Sequence, residues 1–190
     1  MLNNKILPIS FFARSALVLA PDLIGAIIHR GKISIQITET EAYLPNDSAC
    51  HGYRGKTARN APLFGRPGTT YIYLCYGIHR LFNIVCGVEG EAEGVLIRGA
   101  RVVCGLDEVK RIRPKLDLNG PGKVGQVLAV QVEQSAQILT PQNGLYLTKD
   151  TITSCSNGDV SSLGPVQRSP RIGIDYAQPK DRDALLRFFV

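Results

Sequence analysis

From Lys32 to Glu41 the chain alternates, with Ile33, Ile35 and Ile37 separated by Ser34, Gln36 and Thr38, and this period of two predicts a half-buried strand. Thr69 to Leu74 is a second strand candidate, entered through the turn Pro67-Gly68. Leu81 to Cys86 and Val95 to Arg98 supply two more, with the acidic, glycine-bearing turn Glu89 to Gly94 between them. Asn143 to Thr148 and Arg171 to Ile174 read as later strands, and Asp181 to Phe189 as a closing segment. Helical spacing covers Gly105 to Arg113, stopped by Pro114, and Gly122 to Gln131, entered through Asn119-Gly120-Pro121. Ser15 to Ile28 also reads as helix, except that Pro21 removes a backbone donor and kinks it. Strands in consecutive order with short turns, followed by helices, predict an α+β fold: a curved, mainly antiparallel sheet with surrounding helices.

No internal repeat, low-complexity tract or long Pro/Gly-rich linker divides the chain, so a single domain over residues 1–190 is expected. With 44% apolar and 20% charged residues the composition supports a packed core and excludes a disordered chain. No stretch approaches the roughly 20 apolar residues that cross a bilayer. Ala16 to Ala20 is too short for a secretory leader, follows Arg14 and runs into Pro21-Asp22. The five cysteines, Cys50, Cys75, Cys86, Cys104 and Cys155, contain no C-x-x-C pair. They read as reduced thiols of a cytosolic chain rather than as a disulfide framework or a zinc site.

The net charge of +6 is unevenly spread. From Ser48 to Val88 there is no acidic residue, while Arg54, Lys56, Arg59, Arg66 and Arg80 are interleaved with Tyr53, Phe64, Tyr71, Tyr73, Tyr76 and Phe82. Cations offset phosphate charge and rings stack on unpaired bases, so this window suits nucleic acid. A sheet core also places aromatics at two-residue spacing, as Tyr71 and Tyr73 are, and most basic loops are simply solvated.

Glu39 and Glu41 share the parity of Ile33, Ile35 and Ile37, which predicts that both point to the apolar face. A carboxylate there is costly unless it is paired, hydrogen-bonded or set at a strand end beside a cleft, and the last arrangement makes a general base. A structural ion pair with one of the arginines is the competing account. Two carboxylates roughly 7 Å apart on a strand also fit an inverting sugar hydrolase. Against a carbohydrate substrate stand the absence of tryptophan and the basic surroundings.

The segment Glu39-Thr40-Glu41-Ala42-Tyr43, with His51 following, closely resembles the alkyladenine (3-methyladenine) DNA glycosylase family. So do His51 to Asn60, Phe64 to Thr69, Tyr71 to Gly77, Asn83, Val95 to Arg98, Asn119 to Lys123, Pro170 to Ile174 and Leu186 to Phe189, all in the family's order. The resemblance implies a monofunctional enzyme that flips a damaged purine out of double-stranded DNA and hydrolyses its N-glycosidic bond with water, in base excision repair. It implies Glu41 as the base that activates that water, and Arg98 and the backbone carbonyl of Ile172 as the groups that hold Glu41 and the water. Tyr43, His51 and Tyr73 match the rings around the flipped base, and Asn83 the group that crowds the amino group of normal guanine. Tyr76 matches the wedge that fills the gap in the duplex, and Lys56, Thr57 and Lys123 match positions near the DNA backbone.

The resemblance implies no metal and no other cofactor, because N3- or N7-alkylation makes the purine a cationic leaving group. A monomer in a bacterial-type cytoplasm, acting on chromosomal DNA with no membrane partner, completes the expectation. Two features depart from the family pattern: Pro21 sits inside what the family builds as a helix, and Gly99 to Val103 follows Arg98 where an acidic, proline-bearing turn is expected. An inactive nucleic-acid-binding module and a sugar hydrolase using Glu39 and Glu41 are the alternatives.

Overall fold

The computed structural model describes residues 6–149 and 163–190. In chain order the elements are α1 (Ile9–Phe12), α2 (Ala16–Asp22), β1 (Ile27–Arg30), β2 (Ile33–Tyr43), β3 (Thr70–Cys75), β4 (His79–Val85), β5 (Gly94–Cys104), α3 (Leu106–Ile112), β6 (Leu118–Asn119), α4 (Pro121–Val127), β7 (Leu145–Thr148), β8 (Gln167–Ser169), α5 (Pro179–Arg182) and β9 (Arg187–Phe189). All described strands belong to one sheet, ordered β3-β4-β5-β2-β1-β7, with β6 on β5 and the pair β8-β9 on β2. Every pairing is antiparallel, so the predicted α+β class with a mainly antiparallel sheet is what the chain forms.

The long strands β2 and β5 pair along their whole length and carry the sheet. Their ladder is interrupted three times, first where Val103 of β5 has no partner between the pairs Ser34 to Cys104 and Ile35 to Val102. Thr38 has no partner between the pairs Ile37 to Ala100 and Glu39 to Gly99, and Arg98 has none between Glu39 to Gly99 and Thr40 to Ile97. The bulges at Thr38 and Arg98 lie one on each strand and cancel in register. The Thr38 carbonyl accepts from the Val190 N–H at 3.2 Å, so the bulged backbone is satisfied by the chain end.

Residues opposite each other in an antiparallel ladder share a face. The pairs Ile35 to Val102, Ile37 to Ala100, Thr40 to Ile97 and Ala42 to Val95 therefore lie on one face, and all but Thr40 pack in the main hydrophobic core. Thr40 turns to the same side, donating its hydroxyl to the Ala20 carbonyl of α2 at 2.9 Å. Glu39, Glu41 and Tyr43 look to the other face. This corrects the expectation from simple alternation: the bulge at Thr38 inverts the parity, so the two carboxylates leave the face of Ile33, Ile35 and Ile37 instead of sharing it. Arg187 of β9 pairs with Glu41 and joins its face, while Phe188 pairs with Thr40 and is fully buried in the core.

Helices α2, α3 and α4 cover the main core through Leu19, Val109 and Val124. Helix α2 starts where Ser15 and the Ala16 N–H both donate to the buried Glu93 at 2.7 Å. It ends one residue after Pro21, so the proline sits in the last turn and closes the helix instead of kinking a longer one. The last two residues of the segment predicted as helix, Ile27 and Ile28, begin strand β1. Gly125 lets α4 approach β4, because a Cβ there would stand 1.9 Å from the Arg80 carbonyl. That helix stops at Val127, short of the predicted Gln131.

Two further expectations are corrected. Arg171 to Ile174 is not a strand but a loop, held by side-chain bonds of Arg171 rather than by a ladder. The run Gly99 to Val103 continues β5 to Cys104, supported by β2 on one edge and by β6 at Gly99 and Ala100. Cys50, Cys75 and Cys86 are free, as expected, whereas Cys104 is disulfide-bonded, and Cys155 lies outside the described residues. Sequence spacing carries no information on the Cα proximity a disulfide needs.

On β1, His29 is buried with both ring nitrogens 3.0 Å from hydroxyls, of Ser34 and of Thr148, and it stacks on Tyr146. Burial lowers its pKa below the ordinary 6.5. The unfolded chain then takes up a proton that the folded chain refuses, so stability is complete above that ordinary value and is lost as pH falls towards the folded one. Denaturation from pH 7 to pH 5 should show this decline, and His29→Gln should flatten it. An unchanged slope would show that His29 does not contribute.

Candidate active site

A small cleft opens on the face of the sheet towards which Glu41 and Tyr43 turn. It is lined by Tyr43 of β2, Tyr71 and Tyr73 of β3, Asn83 of β4, Gly94 of β5, the loop residues Ala49, Cys50, His51 and Leu63, and Tyr176. His51 meets Tyr73 edge to face with centroids 4.4 Å apart, and its Nδ1 lies 2.8 Å from the Tyr71 hydroxyl. Its pKa is lowered, by burial first and by the charge of Arg59 second. At neutral pH the imidazole is uncharged. Burial pushes the Tyr71 hydroxyl up to about 12 and the Tyr73 hydroxyl higher still, so all three rings stay neutral.

Glu41 lies behind this wall with no exposed surface. Its Oε2 accepts from the Tyr43 hydroxyl at 2.9 Å and its Oε1 from the Ile172 amide at 3.0 Å, while Arg98 Nε stands 3.5 Å from Oε1. Burial raises its pKa above the usual 4.5, opposed in turn by Arg98, the Ile172 N–H, Tyr43 and Arg171. The strand bulge at Arg98 explains how a residue of β5 reaches Glu41, since a bulged side chain is re-aimed. At Ile172 the observed contact is the amide on Glu41.

Arg171, wholly buried, donates through Nη1 to the Ala42 carbonyl at 2.8 Å, through Nη2 to Asp47 at 3.0 Å and to the Asp181 carbonyl at 3.1 Å, and it forms a second bond to Asp47 through Nη1. Its guanidinium lies 4.6 Å from the centre of the Tyr43 ring. Sequence reading missed this pair: an arginine and an aspartate so far apart in the chain carry no spacing signal. It also missed Tyr176, whose ring edges the cleft and whose hydroxyl donates to the Ala49 carbonyl at 3.1 Å.

Asn83 is buried, with its amide nitrogen donating to the Tyr71 carbonyl at 3.0 Å. Tyr76 stands apart from the cleft on the β3–β4 hairpin, 87% exposed, with φ of +50° beside Gly77 at +71°. Both central residues of that turn are left-handed, which a bulky side chain adopts only under strain. Lys56 is exposed with its Nζ 5.9 Å from the Phe64 ring. Thr57 closes a loop by donating its amide to Asn60 at 2.6 Å. Lys123 is ion-paired with the exposed Asp117. Thr57 lines a neighbouring hollow with His51 and Tyr71, whereas Lys56 and Lys123 line neither that hollow nor the cleft. The carboxylate of Glu39 bridges Arg98 at 2.9 Å and Arg187, so it is held in ion pairs rather than free to serve as the second acid of a sugar hydrolase.

Among the described residues no group of three or more His, Cys, Asp or Glu is placed to hold a metal ion, and no helix is long and apolar enough to cross a membrane. Comparison with known proteins gives the arrangement a family. A protein of Arabidopsis thaliana named DNA-3-methyladenine glycosylase is 46% identical over 98% of this chain and 72% of its own length. Relatives from Nitrosococcus oceani and Carboxydothermus hydrogenoformans, provisionally named 3-methyladenine DNA glycosylases, are 44% and 45% identical over 98% and 97% of this chain and 90% and 95% of theirs. The family model for methylpurine-DNA glycosylase (MPG) matches residues 10–190, and the chain belongs to that family.

Proposed function

We propose that this DNA glycosylase acts on alkylated or deaminated purines of the 3-methyladenine, 7-methylguanine and hypoxanthine type in double-stranded DNA, as a monomer of one domain in the cytoplasm. The flipped base enters between Tyr43, His51 and Tyr73, and Glu41 takes a proton from the water that attacks the sugar carbon. The observation that carries this reading is a fully buried carboxylate with a raised pKa, bonded to a tyrosine that lines a cleft walled by neutral rings. A cationic alkylpurine gains about 0.5–2 kcal/mol over a ring face. Neutral His51 adds a ring without adding a repelling charge. Asn83, backed by its bond to the Tyr71 carbonyl, is rigid enough to exclude the amino group of normal guanine by clash.

The test is incubation with methylated duplex DNA and with a hypoxanthine-containing duplex, followed by chromatography of released bases. Free alkylated purine is the expected product, and DNA bound with no base released would overturn the assignment. Tyr76 is the proposed wedge. Tyr76→Ala should keep the fold and weaken binding to an abasic duplex by about 1–3 kcal/mol, the value of one stacking ring. Equal affinity of the two proteins in a mobility-shift titration would remove Tyr76 from that role.

A further inference from the structure

Glu39 takes no part in the reaction as assigned above, yet its carboxylate shares the Arg98 guanidinium with Glu41. Arg98 Nε stands 2.9 Å from Glu39 Oε1 and 3.5 Å from Glu41 Oε1, so its N–H is committed first to Glu39. Arg187 of β9 bonds the same oxygen of Glu39 and is itself held by Ser169 Oγ at 3.0 Å. The result is a row of alternating charges, Glu41, Arg98, Glu39 and Arg187, whose side chains are 0%, 15%, 12% and 21% exposed. At that depth a unit charge a few ångströms away is poorly screened. The cross-strand partner of Glu39 is Gly99, where a Cβ would come within 2.8 Å of the Glu39 Cβ. Glu39 thus occupies room that its neighbour leaves open.

We propose that Glu39 is a positioning residue: anchored by Arg187, it holds the Arg98 guanidinium back from Glu41 and so keeps Glu41 basic enough to activate water. The proposal rests on the reading of Glu41 as the base. The other groups facing Glu41 are Tyr43 from β2, the Ile172 amide and Arg171 from the loop before α5, and Tyr73 from β3, and none of them is changed by altering the far end of the row.

The charge order makes opposite predictions for two neighbouring variants. Glu39→Gln removes a negative charge and releases Arg98 to Glu41. The acid limb of single-turnover base release from a 7-methylguanine duplex should then move to lower pH by roughly one unit. The plateau should fall about tenfold, as for a weakened general base. Arg187→Gln leaves Glu39 to draw Arg98 away, and the limb should move to higher pH. The double variant should lie with Glu39→Gln, because Arg98 is released once the Glu39 carboxylate is gone, and Glu39→Asp, which keeps the charge, should leave the limb at its original position. A structural brace would lower the plateau or the melting temperature in every variant without opposed shifts. Shifts in the same direction, or none, would therefore overturn the proposal. Should Glu39→Gln fail to fold, Arg187→Gln and Glu39→Asp still decide it by the direction of the limb. Glu41→Gln separates the two readings: base release retained by that variant sinks the assignment of the base itself, whereas an inactive Glu41→Gln beside unshifted Glu39→Gln and Arg187→Gln sinks only the role of Glu39.

Discussion

Glu41→Gln is expected to lower base release from alkylated duplex DNA by about 10²- to 10⁴-fold, the contribution of a positioned general base, while leaving affinity for an abasic duplex unchanged. The substitution is nearly isosteric and the site can absorb it. The glutamine oxygen can accept from the Ile172 amide while its nitrogen donates to the Tyr43 hydroxyl, which accepts as well as donates. Stability gives an independent reading. Burial raises the Glu41 pKa, so the folded chain prefers the neutral acid, and the stability this group contributes at low pH is lost as pH rises through its folded value. The variant should therefore match wild type in acid, below the unfolded carboxyl value, and exceed it at neutral pH. Activity kept in full, measured by chromatography of free bases, would remove Glu41 from catalysis.

Arg171→Met is expected to cost about 3–5 kcal/mol of stability, because it strips the buried Asp47 carboxylate of its guanidinium partner and leaves it only the Ala49 amide. More than the pair is at stake. The guanidinium also ties together the Ala42 carbonyl, the Asp181 carbonyl and the loop whose Ile172 amide holds Glu41. The same variant should thus lose base release beyond what partial unfolding explains. Arg171→Met combined with Asp47→Leu should recover much of the stability, since replacing both partners of a buried ion pair by apolar groups is often neutral. Chemical denaturation measures both, and a single variant within about 1 kcal/mol of wild type would show that the pair is dispensable.

The legible parts of the fold were those with a clean period. Ile33, Ile35 and Ile37 announce β2, and the Pro67-Gly68 turn announces β3. Strand β1 was hidden because Ala26, Ile27 and Ile28 form a continuous apolar run that fits a buried helix equally well. The Arg171 to Ile174 segment has strand-like composition, but its backbone is organised by one buried guanidinium that no periodicity can reveal. Cleft residues were legible through the resemblance and not through spacing: Tyr43, His51, Tyr73 and Asn83 do meet around one cavity. Their number along the chain says nothing of Tyr176 or of the Asp47 to Arg171 pair. The orientation of Glu39 and Glu41 was misread for a definite reason, since counting in twos assumes that no residue is skipped, and Thr38 is.

The offsetting bulges at Thr38 and Arg98 impose a rule on how this chain can change length. Deleting Thr38 alone would swing Glu39, Glu41 and Tyr43 towards the helices and bring Thr40 and Ala42 out to the cleft. Deleting Arg98 alone would do the same to the half of β5 that faces them. A gain or loss of one residue at either place is tolerable only with a matching change on the other strand, so the two segments, some 60 positions apart in the chain, must lengthen or shorten together.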